Sequence, residues 1–134
     1  MVVLADDLIW ATRLRAAIIA AGAQPMPARR LADLERLLAP PSGAGSEDGA
    51  SGAPGAAAAT AGAGFAIIDL TARAYDGIEA IRIATGTGAR VVAVGQHDDT
   101  ALRRAAIEAG AERVFTYRAL FEDGPRTLAA WLAR

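Results

Sequence analysis

Apolar and polar positions along this chain switch repeatedly between two periods. Residues 2–5 (Val-Val-Leu-Ala) form a short, partly β-branched apolar run, the pattern of a strand buried on both faces. Over residues 8–21 the spacing lengthens: Trp10, Leu14, Ala17, Ile18 and Ala21 share one face of a helix that Gly22 closes. Residues 23–26 predict a poor strand, because Pro25 and Pro27 lack a donor and suit only an edge. Leu31, Leu34, Leu37 and Leu38 recur at helical spacing among Arg30, Asp33, Glu35 and Arg36, up to about Ala39, where Pro40 and Pro41 stop the pattern. Strand spacing returns over 65–70 and is followed by a short helix over 77–84 carrying Ile78, Ile81 and Ile83. A continuous apolar run over 91–94 precedes a helix over 98–109, which Asp98, Asp99 and Thr100 open and Gly110 ends. Residues 114–116 predict a fifth strand and residues 120–132 a last helix, with a break at Gly124 and Pro125. Five strands alternating with helices at this spacing imply an α/β domain, a parallel sheet covered on both faces.

One stretch departs from both periods. From about residue 41 to residue 64 the composition turns to Gly, Ala, Ser and Pro with almost no large apolar side chain, the composition of a flexible linker. It contains neither a G-x-G-x-x-G nor a G-x-x-x-x-G-K-[ST] phosphate loop. Residues 1–134 are therefore expected to form a single domain with this insert between the second helix and the third strand, where loop length costs little.

Charge and composition narrow the function classes. A formal net charge of −1 with no basic run gives no footprint for nucleic acid, and no apolar stretch approaches the roughly 20 residues that span a bilayer. The absence of cysteine excludes disulfides and thiolate metal sites, and no secretory signal opens the chain, so a cytoplasmic location is expected. All 14 basic residues are arginine, a bias that fits a GC-rich genome and leaves no lysine for chemistry.

The candidate chemistry is acidic. The first strand ends in Asp6 and Asp7 and the third in Asp69, each before a helical pattern, which predicts an acidic pocket at the carboxyl edge of a parallel sheet, where open α/β folds place ligands. Without a cation the three carboxylates repel one another. They form either a weak site for a hard divalent ion of the Mg²⁺ type or an acidic pocket with no ligand, and Asp7 also suits the N-cap of the helix that follows. His97, the single histidine, reads as a solvated loop residue, and Trp10 and Trp131 as packing residues.

The segments VVLADD (Val2 to Asp7), AIIDL (Ala66 to Leu70), RVVAVGQHDD (Arg90 to Asp99) and GAERVF (Gly110 to Phe115) resemble the strand signatures of the bacterial CheY-like response-regulator receiver domain, in order and in spacing once the insert is removed. The resemblance covers nearly the whole chain and implies a flavodoxin-like, doubly wound five-stranded sheet of order 2-1-3-4-5. Within the family the chain is most similar to small stand-alone receiver-like proteins. The resemblance places Asp69 at the phospho-acceptor and Asp6, Asp7 and the Thr71 carbonyl at the divalent cation. Other positions depart from the family: Gly95 stands in place of a hydroxyl residue, Tyr117 in place of the phosphate-contacting lysine, Arg118 in place of the proline after it, and Val114 in place of the switch aromatic.

Phosphoryl transfer to a carboxylate relies on positioning and on neutralising the equatorial oxygens. Loss of one preorganised donor costs on the order of 3 kcal/mol, roughly a hundredfold in rate, and here two are gone. A planar guanidinium at Arg118 does not substitute for a compact ammonium. The expected function is thus a degenerate, non-phosphorylated receiver-like signalling and interaction module, without enzymatic activity or an output domain. The alternatives are a phosphorylation-competent single-domain response regulator using Asp69 and a flavodoxin-like small-molecule binder. The partner is a signalling protein or a second copy, expected on the face carrying Arg103, Arg104, Tyr117, Arg118 and Phe121, residue types enriched at interface hot spots.

Overall fold

Parallel strands buried on both faces must be apolar at every position, and the central strands here meet that condition. The computed structural model describes residues 1–39, 64–96 and 98–133. In it β1 (Val2–Leu4), β3 (Phe65–Asp69) and β4 (Arg90–Gly95) are almost wholly buried. They form the middle of one parallel sheet of order β2-β1-β3-β4-β5, with β2 (Met26–Ala28) and β5 (Arg113–Thr116) at the edges. The pairing is in phase along the centre, with Val2 opposite Ala66 and Ala66 opposite Val91.

Alternate strand residues serve two separate cores. Val2, Leu4, Ala66, Ile68, Val91 and Ala93 pack with α2 (Leu31–Leu38), α3 (Gly77–Gly86) and α4 (Thr100–Ala109). Val3, Ile67, Val92 and Val94 pack on the opposite face with Leu14 and Ile18 of α1 (Leu8–Ala20) and Leu128 and Trp131 of α5 (Tyr117–Leu132). The doubly wound sheet expected from the sequence is therefore observed. Among the described residues, no helix is long and apolar enough to cross a membrane.

Two elements start three residues away from the sequence reading, and the other ends shift by two residues or fewer. The second strand lies over Met26–Ala28 rather than residues 23–26, because hydrogen bonds from Met26 N to the Met1 carbonyl (2.8 Å) and from Ala5 N to the Ala28 carbonyl (3.2 Å) fix its register. Pro27 then falls at the intervening position, whose missing donor faces away from β1, as an edge strand allows. The last helix begins at Tyr117 rather than residue 120: the Thr116 hydroxyl accepts from Ala119 N at 3.0 Å and caps it directly at the strand end. The expected break is present one residue early, as non-helical backbone at Asp123 (φ −146°), so Pro125 stands in the first turn of the segment that follows. Gly124 lets that turn approach α1, since a Cβ there would lie 3.3 Å from the Ala17 methyl.

Most of the Gly/Ala/Ser/Pro-rich insert expected at about 41–64, together with His97, lies outside the described residues.

Candidate functional site

β1 and β3 end side by side at the carboxyl edge of the sheet, so Asp6, Asp7 and Asp69 come from adjacent chain segments, as the sequence predicts. Asp69 is the last residue of β3 and only 1% exposed. Its Oδ1 accepts from the Thr71 amide at 2.9 Å and from the Thr71 hydroxyl at 2.9 Å, a tight turn closed by the aspartate itself. The same oxygen accepts from the Tyr117 hydroxyl, which also lies against Thr71 Oγ1.

Tyr117 reaches Asp69 because Thr116 starts α5 at the strand end and turns residue 117 back over the sheet edge. Its ring packs on Trp10, centroid to centroid 4.1 Å. Desolvation, then the hydrogen bond to Asp69, push the phenol above its ordinary pKa, so the neutral donor is the form the site holds. The position that the family resemblance gives to a lysine thus carries an uncharged donor locked by an aromatic neighbour.

The other two carboxylates are committed elsewhere. Asp7 Oδ1 accepts from Ile9 N (2.9 Å) and Trp10 N (3.1 Å), the N-cap anticipated for α1. Asp6 Oδ2 accepts from the amides of Arg73 (2.9 Å) and Ala74 (3.0 Å) and clamps the β3–α3 loop to the end of β1. Of the two readings open for Asp6, Asp7, Asp69 and Thr71, a weak Mg²⁺-type site or an acidic pocket with no ligand, the side-chain geometry bears on the first as follows. Among the described residues no three acidic or histidine side chains converge as a metal-binding group, because each carboxylate turns toward its own backbone or hydroxyl donors. One oxygen of each carboxylate, Oδ1 of Asp7 and Asp69 and Oδ2 of Asp6, is engaged by these donors.

The sequence reading missed Tyr75. It is buried beneath the pocket, and its hydroxyl lies 2.8 Å from both the Leu4 and the Asp69 carbonyl oxygens, tying the ends of β1 and β3 together. Burial first, then the Asp69 and Asp6 charges, raise its pKa well above that of a free tyrosine. A lone large aromatic among Ala72, Arg73, Ala74 and Asp76 was the available signal. Asp76 beside it caps α3 through Ile78 N at 2.9 Å.

The remaining switch positions are also without their usual chemistry. Gly95 is buried at the end of β4, where a Cβ would come into van der Waals contact with Leu70 Cδ1 at 3.4 Å, and it brings no hydroxyl to the site. Val114 is half-buried and packs against the α2–α3–α4 core. Arg118 points outward, its side chain 84% exposed, and pairs with Glu122 at 3.1 Å, so it is no substitute cation at Asp69.

On the expected partner face, Arg103, Arg104 and Phe121 are exposed. Arg103 donates to the Val114 carbonyl (3.3 Å) on the edge strand, and the Arg13 guanidinium lies 4.4 Å from the Phe121 ring centre. Tyr117 is half-buried, with its hydroxyl on Asp69 and its ring against Trp10. Trp131 is buried, as anticipated, and donates to Glu112 at 3.1 Å.

No protein-family model matches the sequence, and no curated protein matches it. Solved structures do. A two-component response regulator of the LuxR family from Aurantimonas is 24% identical, with a TM-score of 0.68 over 98% of this chain and 83% of that one. The receiver domain of a Francisella response regulator is 14% identical, with a TM-score of 0.66 over 99% and 97%. A response regulator from Burkholderia pseudomallei, solved with a phosphorylated aspartic acid, calcium ion and citrate, is 15% identical, with a TM-score of 0.62 over 98% and 71%. With its order β2-β1-β3-β4-β5 and its acidic strand ends, the chain has the fold of the CheY-like response-regulator receiver domain.

Proposed function

We propose that this chain is a degenerate receiver: a signalling module that works by binding a protein partner or a second copy of itself, without phosphorylation of Asp69 and without catalysing a reaction. The observation that carries this reading is the Tyr117 hydroxyl on Asp69 Oδ1. An aspartyl phosphate needs a free carboxylate oxygen as nucleophile and cationic groups around the incoming phosphoryl. Here one of the two Asp69 oxygens, Oδ1, already accepts from Thr71 and Tyr117, the lysine position is phenolic and the hydroxyl position is glycine. The phosphorylated aspartate of the Burkholderia protein belongs to that protein, and in this chain the lysine and the hydroxyl residue that the family resemblance places around one are replaced by Tyr117 and Gly95.

Binding falls to the surface around α4, β5 and α5, where Arg103, Arg104, Arg118 and Phe121 are exposed. Phe121 with Arg13 over its ring offers a large apolar anchor beside charge, the combination found at interface hot spots. The test is whether association responds to a phosphodonor. Self-association measured by sedimentation, and capture of cellular partners by the immobilised protein, should be the same with and without acetyl phosphate, and Phe121→Ala should weaken them. A change on adding acetyl phosphate that Asp69→Asn abolishes would overturn the reading.

A further inference from the structure

We infer that in this chain backbone amides and hydroxyls, that of Tyr117 among them, hold the three carboxylates, and that the acidic pocket is a hydrogen-bond hub holding the carboxyl edge of the sheet together rather than a cation site. The inference concerns the pocket described above and rests on reading it as non-phosphorylated.

A hard cation needs several oxygens free to converge on one point, and Mg²⁺ demands near-octahedral geometry from them. The three carboxylates instead each organise a different joint. Asp7 holds the first turn of α1 through Ile9 N and Trp10 N. Asp6 holds the β3–α3 loop through Arg73 N and Ala74 N, contacts 67 and 68 residues away along the chain. Asp69 holds its own turn through Thr71 and the start of α5 through Tyr117. Tyr75 closes the floor by bridging the Leu4 and Asp69 carbonyls. Each carboxylate thus has one oxygen bound to the joint it organises, Oδ1 of Asp7 and Asp69 and Oδ2 of Asp6, and the Tyr117 ring is held beside Asp69 by its packing on Trp10. Backbone amides and hydroxyls provide the positive partners that a metal ion would otherwise supply.

A cation site and a hub respond with opposite sign to loss of charge. In a cation site without its ion, converged carboxylates repel, so changing one to its amide relieves strain and raises the melting temperature. In a hub the same change weakens charge-assisted hydrogen bonds and lowers it. The experiment therefore compares thermal unfolding of the wild type, Asp6→Asn and Asp69→Asn without metal, with Mg²⁺ or Ca²⁺ titrated into the wild type and followed by calorimetry and tryptophan emission. Both variants should melt lower than the wild type. The titration should show no saturable binding up to about 10 mM, well above the weakest class of protein Ca²⁺ sites, with Kd values of ~10⁻³ M. Trp10 emission should stay unchanged. A higher melting temperature in either variant, or saturable binding in the wild type that Asp69→Asn removes, would overturn the inference. The titration decides the matter even if a variant does not fold. Failure here is separable from failure of the functional reading, since cation binding with no phosphoryl gain contradicts only the hub.

Discussion

Replacing Tyr117 by phenylalanine deletes one oxygen atom and leaves the ring that packs 4.1 Å from Trp10. The variant isolates the hydroxyl's bond to Asp69 from the aromatic contact, which is itself worth about 0.5–1.5 kcal/mol. A hydrogen bond to a charged group contributes about 1.5–3 kcal/mol. The half-buried position of Tyr117 lets water replace part of the lost bond, and Thr71 still donates twice to the same carboxylate oxygen. The cost should therefore fall at the lower end, about 1.5 kcal/mol. At about 4 °C per kcal/mol for a domain of this size, the melting temperature should drop by about 6 °C. Urea unfolding at neutral pH measures the free energy directly, and an unchanged m-value shows that the folded and unfolded states compared are the same. A phenylalanine variant within about 0.3 kcal/mol of the wild type, or more stable, would mean that the hydroxyl does not secure Asp69.

The chain has two tyrosines, Tyr75 and Tyr117, and both are raised above the ordinary phenol range, chiefly by burial. Because the folded pKa values exceed the unfolded one, their contribution to stability is complete below about pH 10 and is lost as the pH climbs through the folded values. Absorbance at a tyrosinate wavelength should show no phenolate near pH 10 in the folded protein; one tyrosine equivalent ionising there without unfolding would refute this. Gly110 has φ +124°, and a Cβ there would lie 2.5 Å from Thr85 Cγ2, whereas Gly22 at φ +93° has open space around it. Gly110→Ala should therefore cost about 2 kcal/mol more than Gly22→Ala, a difference set by overpacking and readable in urea midpoints. Equal costs would show that Thr85 moves aside freely.

The layered fold was readable because β3 and β4 are apolar on both faces, a pattern that local sequence carries without help. The edges were less so. Pro25 and Pro27 pointed to an edge strand but not to its register, which depends on the Met1 carbonyl and the Ala5 amide of the neighbouring segment. The sequence pattern places the last helix from residue 120, three residues late, because the Thr116 cap at the strand end carries no apolar periodicity. At the site, acidic strand ends gave the positions of Asp6, Asp7 and Asp69, and a capping residue before an amphipathic run already suggested the role of Asp7. The partners of Asp6 and Tyr75 lie up to 71 residues away, so only the assembled sheet edge shows which groups they bind. The same holds for Tyr117: its position was visible in the sequence, but its direction followed from the helix start.

The central claim, that Asp69 is occupied and does not accept phosphate, is tested most directly by the mass of the intact protein after incubation with acetyl phosphate and Mg²⁺ at neutral pH, beside Asp69→Asn as control. Two missing donors at on the order of 3 kcal/mol each correspond to roughly a ten-thousandfold slower transfer, before the Tyr117 bond is broken. The account predicts that wild type and control keep the same unmodified mass throughout the incubation. A phosphoryl mass increase in the wild type that is absent from Asp69→Asn would contradict it.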